Sequence, residues 1–196
     1  IANLQSLEYF SCYNIPLEKK SIETLAKLPH LTNVDLSTTS ANLDERYLLL
    51  QNLQKFCFHN AAHYTVSPQI SELKNLKSLT LKGGASLPDN IPPMPLLEEL
   101  YIKTDYNAPA VQYTQIKNLI NLKRLTILGR ADDLKTMLPN FSKLEHLELY
   151  YNKIELDDLI EVLKQLPELK TFHRYLPTQE LRILKKALPH LEVKTS

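Results

Sequence analysis

The chain has 196 residues, with 23 Lys plus Arg against 22 Asp plus Glu and a formal net charge of +1. This balance gives no indication of nucleic acid or an anionic membrane surface as partner, since both attract strongly basic proteins. No apolar run approaches the roughly 18 residues of a transmembrane helix, so we expect no membrane insertion. The length suits one domain with no low-complexity linker to divide it.

An apolar triplet with the spacing L-x-x-L-x-L recurs along the chain. Eight copies are in phase: Leu4-Leu7-Tyr9, Leu31-Val34-Leu36, Leu53-Phe56-Phe58, Leu76-Leu79-Leu81, Leu97-Leu100-Ile102, Leu122-Leu125-Ile127, Leu144-Leu147-Leu149 and Leu169-Phe172-Arg174. An apolar anchor precedes each by three residues: Ile1, Leu28, Leu50, Leu73, Met94, Leu119, Phe141 and Leu166. The intervals between anchors are 27, 22, 23, 21, 25, 22 and 25 residues, and a ninth, partial copy starts at Leu188 and Leu191. A period of about 20 to 29 residues predicts a solenoid, in which each copy buries its leucines against its neighbours.

The pattern resembles the leucine-rich repeat family, and the resemblance covers nearly the whole chain. Residues 144–154, LEHLELYYNKI, match L-x-x-L-x-L-x-x-N-x-L at every fixed position. The turn position taken by Asn in that copy is replaced in most others, by Thr39, Ala61, Gly84, Asp105 and Arg130. The resemblance implies an α/β solenoid, with a curved parallel sheet on its concave face and helices and extended arcs on its convex face.

The segments between the triplets predict different backbone conformations. Residues 16–28, PLEKKSIETLAKL, and residues 157–166 have apolar side chains near helical spacing, and both predict helices. Residues 87–95, LPDNIPPMP, contain four prolines and predict an extended arc. Residues 178–188 predict an amphipathic helix that closes the leucine column, and Arg174, at a position that should be apolar, suggests that the coil ends there.

We therefore predict a single domain over residues 1–196, of about eight repeats, with residues 177–196 as its C-terminal cap. Because the first repeat begins almost at once and no Met starts the chain, we expect a piece of a longer protein with further domains on its amino-terminal side.

The two cysteines give information about the cellular compartment and about whether the chain could catalyse a reaction. Cys12, placed at an inward turn position, and Cys57, on the opposite side of the ladder, would be roughly 10 Å apart. That exceeds the reach of a disulfide, so we expect free thiols and a reducing, cytoplasmic compartment, the host cytosol if the protein is a bacterial effector.

Cys57, His59 and His63 form the nearest approach to a metal-ligand set, but a fourth ligand is lacking, and we interpret them as surface residues. Cys57 and His59 would be about 7 Å apart on one face of a strand, which is long for a hydrogen-bonded nucleophile and base. We expect neither catalysis by this chain nor a cofactor.

Side chains at repeat positions 3, 5 and 7 point away from the leucine column, onto the concave face. The late repeats concentrate large and polar side chains there: Tyr101, Arg124, Leu128, His146, Tyr150, His173 and Tyr175. Tyr and Arg are enriched at binding hot spots, so this patch predicts a protein-binding site. An alternative stays open, in which the aromatic side chains stabilise the sheet through cross-strand contacts.

The predicted function is protein recognition through the concave face. The module would be the recognition segment of an intracellular receptor, such as an immune receptor, or a bacterial leucine-rich repeat effector. The alternative is a substrate-selecting segment of a larger enzyme such as a ubiquitin ligase. The concave face has no continuous basic stripe, so we do not expect a nucleic-acid partner.

Overall fold

A computed structural model describes residues 4–15, 17–38, 42–104 and 110–195. The predicted anchor Ile1 and the turn residues Thr39 and Asp105 lie outside these ranges. Within the described ranges, nine strands form one sheet in chain order, and every adjacent pair is parallel. The strands are β1 (Tyr9–Tyr13), β2 (Asn33–Thr38), β3 (Lys55–Thr65), β4 (Ser78–Ser86), β5 (Glu99–Lys103), β6 (Arg124–Leu128), β7 (His146–Tyr150), β8 (Thr171–His173) and β9 (Glu192–Lys194).

Short helices and irregular arcs connect the strands. The helices are α1 (Lys19–Leu25), α2 (Tyr113–Ile116), α3 (Leu134–Met137), α4 (Leu156–Leu163) and α5 (Thr178–Ala187), with 3₁₀ turns at Glu45–Leu49, Pro68–Glu72 and Leu138–Asn140. The three helices predicted from apolar spacing are present as α1, α4 and α5. The proline-rich residues 87–95 form neither helix nor strand, as predicted. In the described part of the chain, no helix combines the length and apolar character needed to cross a bilayer.

The core lies between the sheet and the connecting segments. From Leu31 to Phe172, every side chain at repeat positions 1, 4 and 6 is at most 5% exposed. Full burial of a Leu or Phe side chain contributes about 1.5–3 kcal/mol, so this column is the main source of stability. The opposite face of the sheet carries positions 3, 5 and 7; we call it the open face.

The predicted phase of the first copy is wrong. Phe10 and Cys12 of β1 pair with Val34 and Leu36, so the first triplet is Leu7-Phe10-Cys12, three residues later than Leu4-Leu7-Tyr9. Apolar residues spaced by three let the pattern match in both frames. A shift by an odd number of residues reverses the faces of a strand. Phe10 and Cys12 therefore pack on the core, while Tyr9, on the open face, is 51% exposed.

The coil does not end at Arg174. The strand β9 pairs with β8 beyond it, and the Arg174 backbone N–H donates to the Lys194 carbonyl at 3.3 Å. The Arg174 side chain is partly buried, and its guanidinium donates to the carbonyl oxygens of Asn152 at 3.1 Å and Ile154 at 3.4 Å. Burial lowers the pKa of Arg174. The guanidinium thus holds the turn that follows β7 in the preceding repeat.

A bulge interrupts the pairing of β3 with β4. Asn60 pairs with Gly83 and His63 with Gly84, so two residues of β3 are inserted between these pairs. Gly83 has φ +92°, and a Cβ built on it would lie 1.8 Å from the Asn60 carbonyl oxygen. Only glycine satisfies both the left-handed backbone and the close approach.

Candidate functional site

The strand register brings most of the predicted binding residues together on the open face. Arg124 lies beside His146, and Leu128 lies beside Tyr150. Tyr101 and His173 share the position-5 column, with Thr126 and Glu148 between them. Tyr175 follows the end of β8. Adjacent strands are about 4.8 Å apart, so the set spans four strands of one continuous surface.

Two cross-strand hydrogen bonds order the centre of this surface. The Tyr150 hydroxyl lies 3.0 Å from His173 Nδ1, and the two rings meet edge to face with centroids 5.3 Å apart. His146 Nδ1 lies 2.6 Å from the Thr171 hydroxyl oxygen. Each contact joins β7 to β8, which is the kind of cross-strand contact that the alternative interpretation describes.

Two electrostatic contacts between neighbouring strands lie closer to the middle of the sheet, among β4, β5 and β6. Arg124 Nε lies 3.6 Å from a Glu99 carboxylate oxygen on the neighbouring strand. Lys82 Nζ lies 5.8 Å from the centre of the Tyr101 ring. The Arg124 and Glu99 side chains are each 48% exposed, so their contact contributes little to stability. The main effect of the two contacts is to orient the Arg124 and Tyr101 side chains.

The surroundings of His146 shift its protonation. Partial burial lowers the pKa of His146, and the positive charge of Arg124 lowers it further. The imidazole is therefore held toward its neutral form, which suits the short contact with Thr171.

Tyr175 differs from the rest of the patch. It is 70% exposed, and within the described residues it makes no hydrogen bond or ring contact. Leu128, the last residue of β6, is partly exposed on the open face. These two side chains contribute apolar area to the surface.

The wrong phase of the first copy concealed a second aromatic group on the open face. Tyr9 and Tyr13 both lie there, and the Tyr13 hydroxyl donates to an Asp35 carboxylate oxygen at 3.3 Å. The Asp35 charge raises the pKa of Tyr13. The signal that could have found this pair was the second matching frame, Leu7-Phe10-Cys12.

The sequence candidates for a reactive or metal-binding centre are Cys57 and its neighbouring histidines. Both cysteines are free. Burial raises the pKa of Cys57 to about 12, with a further contribution from the Asp35 charge, which keeps this thiol protonated. Among the residues whose positions are described, no three of the His, Cys, Asp or Glu type converge to hold a metal ion. His63 lies beyond the bulge of β3, where it pairs with Gly84.

The fold is similar to several solved structures. An internalin of Listeria monocytogenes superposes with a TM-score of 0.67 at 19% identity, covering 100% of this chain and 55% of that one. A leucine-rich repeat protein of Leptospira interrogans gives 0.65 at 18% identity, covering 99% and 50%. Internalin C2 of Listeria monocytogenes gives 0.62 at 20% identity, covering 96% and 80%.

The chain is a leucine-rich repeat solenoid. It spans about half the length of the first two of these proteins. No protein-family model and no curated protein matches the sequence. At these identities the likeness concerns the leucine-rich repeat fold alone, so a function has to be argued from the open face itself.

Proposed function

We propose that this leucine-rich repeat chain is a protein-recognition module that binds a partner protein through the open face of β5–β8. The observation that carries the proposal is Tyr175, a large side chain that is 70% exposed at the border of an ordered patch. A tyrosine in this setting adds nothing to the core, whereas in an interface it supplies contact area and a hydroxyl.

The ordered part of the patch supports the same proposal. Tyr150, His173 and His146 are held by cross-strand contacts before any partner arrives. Binding to side chains that are already ordered loses less conformational entropy than binding to mobile ones. The same contacts that stabilise the sheet therefore also prepare a surface for recognition.

Because these side chains would act both in sheet stability and in binding, only some substitutions test binding separately from stability. Replacing Tyr150 by Ala removes an edge-to-face aromatic pair, which is worth about 0.5–1.5 kcal/mol, together with a hydrogen bond. Loss of binding by that variant would therefore be ambiguous. Tyr175→Ala removes only exposed area, and Tyr150→Phe keeps the ring pair while deleting the hydroxyl.

The experiment is affinity capture with the wild-type chain, Tyr175→Ala and Tyr150→Phe, followed by affinity measurement with the purified partner. Tyr13→Ala is the matched control, because Tyr13 is an exposed tyrosine at the far end of the same face. We expect Tyr175→Ala to weaken binding at least about tenfold, or about 1.4 kcal/mol, with an unchanged unfolding midpoint. Full binding by Tyr175→Ala and Tyr150→Phe, or a loss confined to Tyr13→Ala, would contradict the proposed face.

A further inference from the structure

A pocket of about 840 Å³ opens where β5, β6 and β7 end, directly beside the open face. It is lined by the last residues of β5 and β6 and by the turns that follow β6 and β7. Leu128 belongs to both surfaces: it is the last residue of β6 on the open face and part of the pocket wall. A partner lying on the open face would therefore reach this pocket without leaving the surface of the sheet.

The pocket carries positive charge in a chain that is nearly neutral. Of the lining residues that the structure describes, three are cations, Lys103, Arg130 and Lys153, and one is an anion, Asp132. Arg130 and Asp132 pair with each other at 3.2 Å. Lys103 and Lys153 have no ion-pair partner within the described ranges. The surplus of positive charge therefore comes from two lysines that can accept an anionic group.

The backbone around the pocket is held in place from several directions. The buried Asn152 side chain accepts the Ala131 N–H at 2.7 Å and donates to the Tyr150 carbonyl at 2.9 Å. The Gly129 N–H donates to the same carbonyl at 3.3 Å, and Arg174 donates to the Asn152 carbonyl at 3.1 Å. The pocket is therefore formed before a ligand binds, which reduces the entropic cost of binding.

A residue with a strained backbone conformation lies at the rim of the pocket. Tyr151 has φ +65°, in the left-handed region that non-glycine residues rarely adopt, and its side chain is 61% exposed. Such conformations persist only where the surrounding structure enforces them, and they cluster at ligand sites. Here the enforced turn places an aromatic side chain in the pocket wall, near the apolar Leu128 and Ala131.

We propose that this pocket binds an acidic peptide segment of the partner protein, with carboxylates against Lys103 and Lys153 and an apolar side chain against Leu128 and Ala131. The inference rests on the proposed function, since the peptide belongs to the protein that the open face recognises. The apolar wall favours a peptide over a bare anion. Glu99 and Glu148 on the adjoining face oppose the continuous negative charge of a nucleic-acid backbone.

The probe is the blocked tripeptide acetyl-Glu-Leu-Glu-amide, compared with its neutral counterpart acetyl-Gln-Leu-Gln-amide and with inorganic phosphate. Each is titrated into the ¹⁵N-labelled chain and followed by amide chemical shifts. We expect saturable shifts at residues 128–132 and 151–153, with the acidic peptide binding roughly tenfold more tightly than the neutral one because two charge pairs form.

The double variant Lys103→Gln/Lys153→Gln should abolish the preference for the acidic peptide. Lys143 is an exposed lysine before β7 and outside the pocket, so Lys143→Gln should keep the preference and controls for the loss of a positive charge elsewhere on the surface. Added salt should weaken the preference. Equal binding of both peptides, phosphate binding as tight as the acidic peptide, or an equal effect of Lys143→Gln would overturn the inference.

The experiments distinguish failure of the pocket inference from failure of the proposed binding through the open face. If Tyr175→Ala loses the purified partner while the double lysine variant binds that partner and both peptides like the wild type, the open face is the binding site and the pocket inference falls. If the acidic peptide binds as expected while Tyr175→Ala keeps the partner, the pocket stands and the open face is wrong.

Discussion

Removing the Asn152 side chain tests how the turns at the carboxyl edge are held. Asn152 is 7% exposed, and its amide joins two repeats by accepting the Ala131 N–H and donating to the Tyr150 carbonyl. Asn152→Ala leaves both backbone groups without this partner. The Ala131 N–H is then left unsatisfied, whereas the Tyr150 carbonyl still accepts the Gly129 N–H at 3.3 Å. One unsatisfied buried group costs about 1–3 kcal/mol, so we expect a loss of that size.

The assay is urea unfolding followed by far-UV circular dichroism and by tyrosine fluorescence, since the chain has ten Tyr and no Trp. Coincident transitions establish that one unfolding free energy describes the chain. The matched control is Asn121→Ala, which deletes an exposed amide that donates to the Pro95 carbonyl at 2.9 Å. We expect that control to change stability by less than about 1 kcal/mol, because water replaces an exposed hydrogen bond.

Equal losses for the two variants would refute the reasoning, since they would show that burial of the Asn152 bonds adds nothing. The same substitution also affects the pocket beside the open face. Asn152→Ala should reduce binding of the acidic tripeptide, because the turn that carries Lys153 loses its support.

Two further predictions concern the bulge and the histidine of the open face. Gly83→Ala should lower the free energy of unfolding in urea by at least about 2 kcal/mol, because the left-handed backbone disfavours a Cβ and this Cβ would also clash with the Asn60 carbonyl. Ser86→Ala, at the end of the same strand, is the control. An equal effect of both substitutions would contradict the argument. His146, whose pKa is lowered by burial and by Arg124, should bind its proton more readily when the chain is unfolded than when it is folded. Its contribution to stability is therefore complete above the unfolded pKa of about 6.5 and is lost as the pH falls toward the folded value. The urea midpoint should therefore change less between pH 7.5 and 5.5 in His146→Asn than in the wild type, and His190→Asn is the control. An NMR titration that places the His146 pKa at or above 6.5 would exclude this account.

The sequence by itself determined the repeat, the parallel sheet and the identity of the core. Triplets such as Leu144-Leu147-Leu149 can bury all three side chains only against neighbouring copies, so their period specifies the solenoid. Four prolines between residues 87 and 95 excluded a helix there without any knowledge of the neighbours. The outward columns followed from the alternation of a strand, which placed Tyr101, Tyr150 and His173 on one face.

The tertiary structure alone decided the phase of the first copy, because Leu4, Leu7 and Phe10 fit two frames and only pairing with β2 selects one. It also decided that Arg174 closes a turn, since a guanidinium finds its carbonyl acceptors only when the preceding repeat is stacked against it. Tyr150 and His173, which contact each other, are more than twenty positions apart in the sequence. The same holds for the residues from successive repeats that line the pocket beside Leu128. A one-dimensional period states which residues face outward, but the distances between side chains of successive copies depend on how the copies stack.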